Sequence, residues 1–185
     1  MIIGLMILAA SAGFFMHNLM NANRVPMQNT QLSSPTDMLL IGLPRPDFQM
    51  KDLDGKLHSI SEWDGHVLVL NFWAPWCTPC KEELPIFIEM QEKYQDQGLQ
   101  FLGLAVDTPS NVKAFLTQQP LNFPTLVGED DAMQIASLYG NNIGVLPYTV
   151  IINRSGKIMF TRKGDIKRTE AEKIFRTIFD KKPSL

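Results

Sequence analysis

Residues 67–85 read VLVLNFWAPWCTPCKEELP. Its first six residues, Val67 to Phe72, form a nearly continuous apolar run, which is typical of a strand that is covered on both faces. From Lys81 to Gln97 apolar residues recur at helical spacing, and Gly98 then ends the pattern. The stretch therefore predicts a buried strand that leads into a helix, with two cysteines at the junction.

The two cysteines, Cys77 and Cys80, stand at the predicted start of that helix. Free backbone N–H groups and the positive end of the helix dipole stabilise a thiolate there, so we expect the pKa of Cys77 to lie well below about 8.5. Cys80 lies one turn further along, where its sulfur can close a disulfide with Cys77 and is better shielded. Pro79 fits the first turn because an N–H would find no helical partner there. We therefore assign Cys77 as the attacking thiol and Cys80 as the resolving thiol.

The cysteine count limits the other interpretations of this pair. The 185 residues contain no further cysteine, which excludes a multi-bridge scaffold and an all-cysteine zinc or iron–sulfur site within one chain. A static disulfide is one alternative, but closing so short a loop stabilises little through chain entropy. Half of a zinc knuckle is another, but there is no second CxxC, and all three histidines, at 17, 58 and 66, precede the dithiol.

Strand and helix patterns alternate on both sides of the junction. Asp54-Gly55 separates two short alternating runs between Phe48 and Ile60, which predicts a β-hairpin. Apolar residues at helical spacing between 171 and 179 predict an amphipathic C-terminal helix. Further strands are predicted at 99–106, 148–152 and 157–162, and further helices at 110–118 and 130–139. This order predicts an α/β fold with a mixed sheet and helices on both faces.

The composition is that of a folding chain without a nucleic-acid signature. Apolar residues make up 45% and charged residues 19%, which suits a protein with a buried core. The 17 Lys and Arg against 19 Asp and Glu give a net charge of −2, so the basic footprint of a nucleic-acid-binding protein is lacking.

The N-terminal segment has the features of a membrane anchor. Ile2 to Met20 carries no charged side chain, and a helix of this length spans roughly 28 Å, close to the roughly 30 Å of the hydrocarbon core. A cleaved signal peptide with its site at Ala10-Ser11-Ala12 is the alternative. Arg24 follows the segment, which by the positive-inside rule argues against export of the C-terminal part. We expect an anchor or signal-like segment at 1–20, a polar linker at 21–38 and the folded domain at 39–185.

The active-site stretch resembles a known superfamily. FWAPWCTPC, at 72–80, is similar to the active-site sequence of the thioredoxin superfamily, and the wider segment 46–85 resembles its membrane-anchored thiol–disulfide oxidoreductases of the TlpA/ResA/CcmG type. The resemblance runs from about Pro46 to about Phe179. It implies a thioredoxin-like mixed sheet flanked by helices, with an N-terminal hairpin and a central αβ insertion at Asp107 to Asn142.

The resemblance also implies which residues meet a substrate. Leu146-Pro147 matches the proline of the superfamily, which is cis and faces the dithiol. Together with Pro147, the predicted substrate-binding set contains Trp76, which we expect to flank the exposed sulfur, and Thr78 and Pro79 between the cysteines. Residue 148 is tyrosine where the anchored branch often has threonine, a departure that bears on partner choice.

An acidic residue beside the dithiol has two interpretations. Glu83 follows Cys80 by three residues on the same helix, at a position where the anchored branch carries an acid. A half-buried carboxylate there can relay the proton of Cys80, so Glu83 joins the predicted catalytic set of Cys77 and Cys80. The alternative is an ordinary solvated glutamate, since Glu82 lies beside it. Asn71 stands where thioredoxin carries a buried acid, and an amide cannot accept a proton there.

The residues and the resemblance together predict thiol–disulfide exchange outside the cytoplasm. We expect a monomeric reductase of protein disulfides, without cofactor or metal, at the bacterial inner membrane with its catalytic domain in the periplasm. The resemblance implies a membrane electron-donor protein and a place in cytochrome c maturation. One alternative is a thioredoxin-fold copper metallochaperone, which would require CxxxC and a distal histidine; another is a disulfide oxidase or isomerase. The Pro-x-x-x-Thr-x-x-Cys pattern of a peroxidase is absent, and the intact dithiol argues against a pure binding module.

Overall fold

The computed structural model describes residues 39–180. In this part of the chain the strands are β1 (Gln49–Lys51), β2 (Leu57–Ser59), β3 (Val67–Trp73), β4 (Leu99–Ala105), β5 (Thr125–Val127), β6 (Tyr148–Ile152) and β7 (Ile158–Lys163). The α-helices are α1 (Thr78–Tyr94), α2 (Pro109–Gln118), α3 (Glu129–Leu138) and α4 (Arg168–Phe179). Between residues 39 and 180, no helix has the length and apolar character needed to cross a membrane. The expected anchor at 1–20 and linker at 21–38 lie outside the described residues.

Five of the strands form one mixed sheet in the order β5-β4-β3-β6-β7. The central strand, β3, runs parallel to β4 and antiparallel to β6; β5 extends the sheet parallel to β4, and β7 extends it antiparallel to β6. All seven residues of β3 are buried, as predicted for a strand covered on both faces. The predicted fold class, a thioredoxin-like α/β fold with a mixed sheet flanked by helices, is confirmed.

The hairpin predicted ahead of β3 is present as a separate two-stranded sheet. β1 and β2 pair antiparallel, with Gln49 opposite Ser59 and Lys51 opposite Leu57. The turn between them contains Gly55, whose φ of 84° lies in the left-handed region that favours glycine. Asp52 forms a bridge to Leu126 of β5, so the hairpin is attached near the edge of the main sheet.

Aromatic side chains join α1 and α4 over one face of the sheet. Phe101 of β4 lies 4.9 Å from Phe87 of α1 and 5.7 Å from Phe175 of α4, measured between ring centroids. At the far end of α1, Tyr94 stacks on Phe179 at 5.1 Å. Both helices are thereby held against the sheet. Four residues separate the end of β3 from the start of α1, which places the first turn of α1 at the carboxyl end of the central strand.

The segment between β4 and β6 differs from the secondary structure predicted from the sequence pattern. That prediction placed two helices there, and the structure adds β5 between them. β5 has only three residues, too few to show an alternating pattern, and it is recognisable only through its pairing with β4, where Thr125 lies opposite Gly103. The insertion implied by the resemblance at 107–142 is therefore an α2-β5-α3 unit.

Candidate active site

The dithiol motif lies at the junction of β3 and α1. Cys77 and Cys80 are joined by a disulfide, with their Cα atoms 5.3 Å apart. Cys77 is the N-cap residue of α1, and its Sγ accepts a hydrogen bond of 3.3 Å from the backbone N–H of Cys80. Thr78 and Pro79 occupy the first two helical positions, where the proline leaves no helical hydrogen bond unmade. The backbone thus directs a donor and the positive end of a helix dipole at Cys77.

Exposure is distributed unevenly around the motif. Both cysteines are buried, but Cys77 retains 5% of its accessible surface and Cys80 none, so Cys77 is the less enclosed of the two. Trp76, immediately before it, is 65% exposed, whereas Trp73 at the end of β3 is fully buried. Trp76 therefore presents a large, exposed apolar side chain directly beside Cys77.

A cis peptide bond stands at the same edge of the sheet. The Leu146-Pro147 bond is cis, the isomer that the resemblance implied. Pro147 immediately precedes β6, and Tyr148 of β6 lies opposite Phe72 of β3, close to where β3 leads into the motif. The structure therefore brings Pro147 to the end of the sheet at which the dithiol lies.

Glu83 is buried, not half-buried as the sequence suggested. Its residue is 1% exposed, whereas the neighbouring Glu82 is exposed and its carboxylate lies 3.6 Å from the amino group of Lys167. Oε1 of Glu83 accepts a hydrogen bond of 2.8 Å from Nδ2 of Asn71, and Oε2 accepts one of 3.0 Å from the backbone N–H of Ile166. The description of an ordinary solvated helix glutamate does not fit this side chain.

The surroundings of Glu83 change its acidity. Burial disfavours the charged carboxylate and is the largest cause of a pKa raised from 4.5 to about 8. The hydrogen bonds from Ile166 and Asn71 act in the opposite direction, Asp165 raises the pKa further, and Lys167 lowers it. At pH 7 most Glu83 carboxyls are therefore neutral while the cysteines form a disulfide.

Asn71 connects Glu83 to the sheet. It is fully buried in β3, and besides the bond to Glu83 its Nδ2 lies 3.3 Å from Oγ1 of Thr149, the residue opposite it on β6. Its Oδ1 has no hydrogen-bond partner within residues 39–180. Asn71 acts here as a donor to the acid.

Two contributors to this site were absent from the sequence analysis. The backbone amide of Ile166 follows Glu83 by 83 residues and carries no signal in the sequence. Thr149 occurs in the apolar run YTVII. A polar residue in a run of buried strand residues needs a hydrogen-bond partner, and this could have identified Thr149 from the sequence.

Within the described part of the chain no group of three or more His, Cys, Asp or Glu side chains is arranged to hold a metal ion.

Comparisons with known proteins agree with this geometry. Residues 41–161 match the AhpC/TSA family. The thiol-disulfide oxidoreductase ResA of Geobacillus thermodenitrificans is 33% identical over 139 residues, which cover 75% of this chain and 78% of that protein. ResA of Bacillus thuringiensis is 31% identical over 178 residues, 96% of this chain and 94% of the relative. The crystal structure of a thiol:disulfide interchange protein of the thioredoxin family from Chlorobium tepidum superposes with a TM-score of 0.65 at 26% identity, covering 74% of this chain and 95% of that chain.

Proposed function

Because this chain belongs to the AhpC/TSA family and is a thiol–disulfide oxidoreductase, we propose that it reduces protein disulfides outside the cytoplasm. The observation that carries the proposal is the Cys77–Cys80 pair in the first turn of α1, with Cys77 as N-cap and Cys80 enclosed. That arrangement favours a thiolate at Cys77 and keeps Cys80 available for an internal attack.

The exchange proceeds in two displacements. In the reduced protein the Cys77 thiolate attacks one sulfur of a partner disulfide; a Cys77–partner bond forms, the partner disulfide breaks, and the other partner sulfur leaves as a thiolate. Cys80, as a thiolate, then attacks Sγ of Cys77. The Cys77–Cys80 bond forms, the second partner sulfur is released, and two electrons have passed from the dithiol to the partner. The disulfide seen in the structure is the product of this second step.

Glu83 supplies the proton transfer that the second displacement needs. A Cys80 thiol must lose its proton before it attacks, and Glu83 lies one turn further along the same buried face of α1. The ionised carboxylate accepts that proton. In the disulfide state the carboxyl holds it, since burial raises the pKa of Glu83 to about 8. The proton is then available for Cys80 when a donor reduces the pair again.

The proposed direction of electron flow follows from what surrounds Cys77. Thr78 and Pro79 supply no charge between the cysteines, so the thiolate is stabilised chiefly by the helix terminus and by the N–H of Cys80. A strongly oxidising pair needs a more strongly stabilised thiolate than this. A pair whose reduced form is less stabilised has a lower reduction potential, so it passes its electrons to a partner disulfide and reduces that disulfide.

The surface that meets the partner comprises Trp76, Thr78, Pro79 and Pro147. Trp76 is exposed beside Cys77, and Pro147 lies at the same edge of the sheet. We propose that Trp76 packs on the partner chain while the backbone next to Pro147 faces it in an extended form.

The proposal extends to location and partners. Disulfides persist on the oxidising side of a bacterial membrane, where a selective reductase has substrates. We propose that residues 1–20 anchor the chain in the inner membrane, that the domain is a monomer in the periplasm, and that a membrane protein delivers its electrons. We propose cytochrome c maturation as the process served, which the resemblance of residues 46–85 to the anchored oxidoreductases implies.

An insulin-reduction assay tests the proposed activity. The wild-type domain should accelerate the dithiothreitol-driven reduction of insulin, and Cys77→Ser should not. Added Cu(I) or Zn(II) should leave the rate unchanged at equimolar concentration. A protein that binds copper tightly and does not reduce insulin would be a metallochaperone instead.

A reporter fusion tests the location. Alkaline phosphatase fused after Leu185 is active only when exported, because its own disulfides form outside the cytoplasm. We expect an active fusion. An inactive fusion together with an active cytoplasmic reporter at the same site would place the domain in the cytoplasm.

A further inference from the structure

In the part of the chain that the structure describes, the side-chain amide of Asn71 has a hydrogen-bonded nitrogen and an oxygen without a partner. Nδ2 donates to Oε1 of Glu83 and to Oγ1 of Thr149, while Oδ1 is buried and lacks a partner within residues 39–180. A buried oxygen without a donor is uncommon in folded proteins and calls for an explanation. It is also the one strong acceptor atom that this side chain could offer to a protonated neighbour.

We infer that Asn71 is a positioning residue whose amide rotates by half a turn when Glu83 gains or loses its proton, so that the carboxyl keeps a hydrogen-bond partner in both states. The inference rests on the proposed role of Glu83 as the acceptor of the Cys80 proton. The torsion that must change is the terminal one of asparagine, which has a broad two-fold profile.

The observed arrangement suits the ionised carboxylate. A carboxylate only accepts hydrogen bonds, and Glu83 receives two, from Asn71 and from the backbone of Ile166. The two hydrogens of Nδ2 serve Glu83 and Thr149 at the same time, with the threonine hydroxyl as acceptor. Each donor that faces the carboxylate is used.

The same arrangement does not suit the neutral acid. Protonation turns one carboxyl oxygen into an O–H donor, which then faces the Nδ2 donor of Asn71 or the N–H of Ile166. The Ile166 amide belongs to the backbone and cannot reverse. Rotation of the Asn71 amide exchanges Nδ2 for Oδ1, and Oδ1 then accepts the proton of Glu83 at the position where Nδ2 had donated.

Thr149 can follow this reversal without moving its oxygen. A hydroxyl both donates and accepts, so its hydrogen turns to donate to Oδ1 once Oδ1 has replaced Nδ2. Both lone pairs of Oδ1 are then used, as both hydrogens of Nδ2 were before. The contacts of the amide with Glu83 and Thr149 are thus kept in either protonation state, while the amide atom on the opposite side, Oδ1 in one state and Nδ2 in the other, has no partner within residues 39–180.

The charged residues near Glu83 shift its pKa. Asp165 and Lys167, both in the segment between β7 and α4, raise and lower the pKa of Glu83 respectively. On α1 itself the titratable neighbours are the two cysteines once they are reduced, and Glu82, which faces Lys167. A pH titration of the oxidised full-length protein therefore follows Glu83 without interference from Cys77 or Cys80.

Side-chain NMR of the oxidised wild-type protein tests the inference. We expect the Cδ resonance of Glu83 and the side-chain NH₂ resonances of Asn71 to move with one midpoint, and the contacts of the Asn71 NH₂ protons with the Thr149 methyl group to weaken below it. The side-chain NH₂ of Gln91, buried on the same helix but bonded to backbone groups, should stay constant. A pH-independent Asn71 amide, unchanged NH₂ contacts, or a Glu83 that does not titrate would each overturn the inference.

An Asn71→Leu variant distinguishes an Asn71 amide that rotates from one that always donates to Glu83. If the amide bonds to both the ionised and the neutral Glu83 carboxyl, the variant removes a hydrogen-bond partner from each. Exchange should then slow by about ten-fold both above and below the midpoint of the Glu83 titration, and that midpoint should move by less than about one pH unit. A fixed donor would stabilise the carboxylate alone, and its loss would raise the midpoint by more than that and spare the rate below it. Thr149→Val, a smaller change, should slow exchange in the same two-sided way. Because the NMR titration needs no turnover, a failure of the inference is distinguishable from a failure of the proposed activity.

Discussion

Glu83 and Gln91 are two buried polar side chains on α1 that differ in their hydrogen-bond partners. Both are almost fully enclosed, with 1% and 3% exposure, and both reach from the helix to other elements. The Nε2 group of Gln91 donates to the carbonyl of Leu99, and its Oε1 accepts from the N–H of Phe101 at 2.7 Å. Glu83 instead bonds to the side chain of Asn71 and to one backbone amide.

The difference lies in whether the buried group can change its charge. Gln91 is neutral at every pH, and its donor and acceptor are each matched to a backbone group, so it joins α1 to β4 permanently. Glu83 is an acid whose burial disfavours its ionised form, and Oδ1 of the neighbouring Asn71 has no hydrogen-bond partner among the described residues. Glu83 is three residues from Cys80, whereas Gln91 is eleven residues from it. The side chain that can change its charge is therefore the one nearer to the cysteine pair.

The largest effect is expected at the reactive end of α1. Cys77→Ser should abolish reduction of protein disulfides, since the attacking sulfur is lost. Cys80→Ser should instead accumulate mixed disulfides with partner proteins, because nothing resolves them. Non-reducing electrophoresis and mass spectrometry of the trapped adducts measure this and identify the substrate. Adducts on Cys77→Ser and none on Cys80→Ser would reverse the assigned roles.

The second effect separates Glu83 from Gln91 in catalysis. Glu83→Gln keeps the shape of the side chain but removes its acidity, so exchange should slow roughly 10²-fold and lose the dependence on pH that Glu83 provides. Gln91→Met, the matched change two turns away, should leave the rate unchanged. Stopped-flow kinetics between about pH 5 and pH 9 make the comparison. Equal rates for wild type and Glu83→Gln over that range would remove the proton-transfer role.

The third effect separates the same two residues in stability. The pKa of Glu83 is about 8 in the folded protein against 4.5 in an unfolded chain, so between these values the unfolded state binds fewer protons and stability falls as pH rises. For the oxidised wild type we expect the free energy of unfolding to drop by a few kcal/mol across this window, at about 1.4 kcal/mol for each pH unit between the two values. In Glu83→Gln the free energy of unfolding should no longer fall with pH across this window.

Gln91→Met gives the control for that measurement. It should lower the free energy of unfolding by about 2 kcal/mol at every pH, because two backbone groups lose their partner. Denaturant unfolding at a series of pH values measures both variants. A Glu83→Gln curve that keeps the wild-type slope would mean that another group is responsible for it.

The smallest effect concerns the surface of the site. Trp76→Ala should raise KM for a protein disulfide several-fold and leave the rate with a small disulfide such as oxidised glutathione unchanged, since the exposed ring contacts only a large partner. Stability should change by less than about 0.5 kcal/mol. An equal loss with both substrates would show that Trp76 acts on the dithiol and not on the partner.

Much of the fold could be predicted because its signals are local. The apolar run of β3, the helical spacing of α1 and the Asp54-Gly55 turn each occur within a few residues, and the structure has the elements where these patterns place them. β5 was missed because three residues show no period, and its identity as a strand comes from β4, about twenty residues away in sequence.

The site was predictable to a smaller extent. The cysteine spacing and Pro147 were identified from the motif and the resemblance, because those signals are contiguous in the chain. The enclosure of Glu83 was not, since it arises from Asn71 and from the Ile166 amide, which only folding brings to the carboxyl. A sequence shows that an acid is present but not how much water remains around it.

The midpoint potential of the dithiol shows whether it acts as a reductant. Equilibration of the domain with glutathione or dithiothreitol buffers at pH 7, followed by mass spectrometry of alkylated thiols, gives the value. With the helix terminus as the main stabiliser of the Cys77 thiolate, we predict a midpoint of roughly −220 to −280 mV, near that of thioredoxin. A midpoint above about −180 mV, in the range of disulfide isomerases and oxidases, would show that the dithiol is not a reductant.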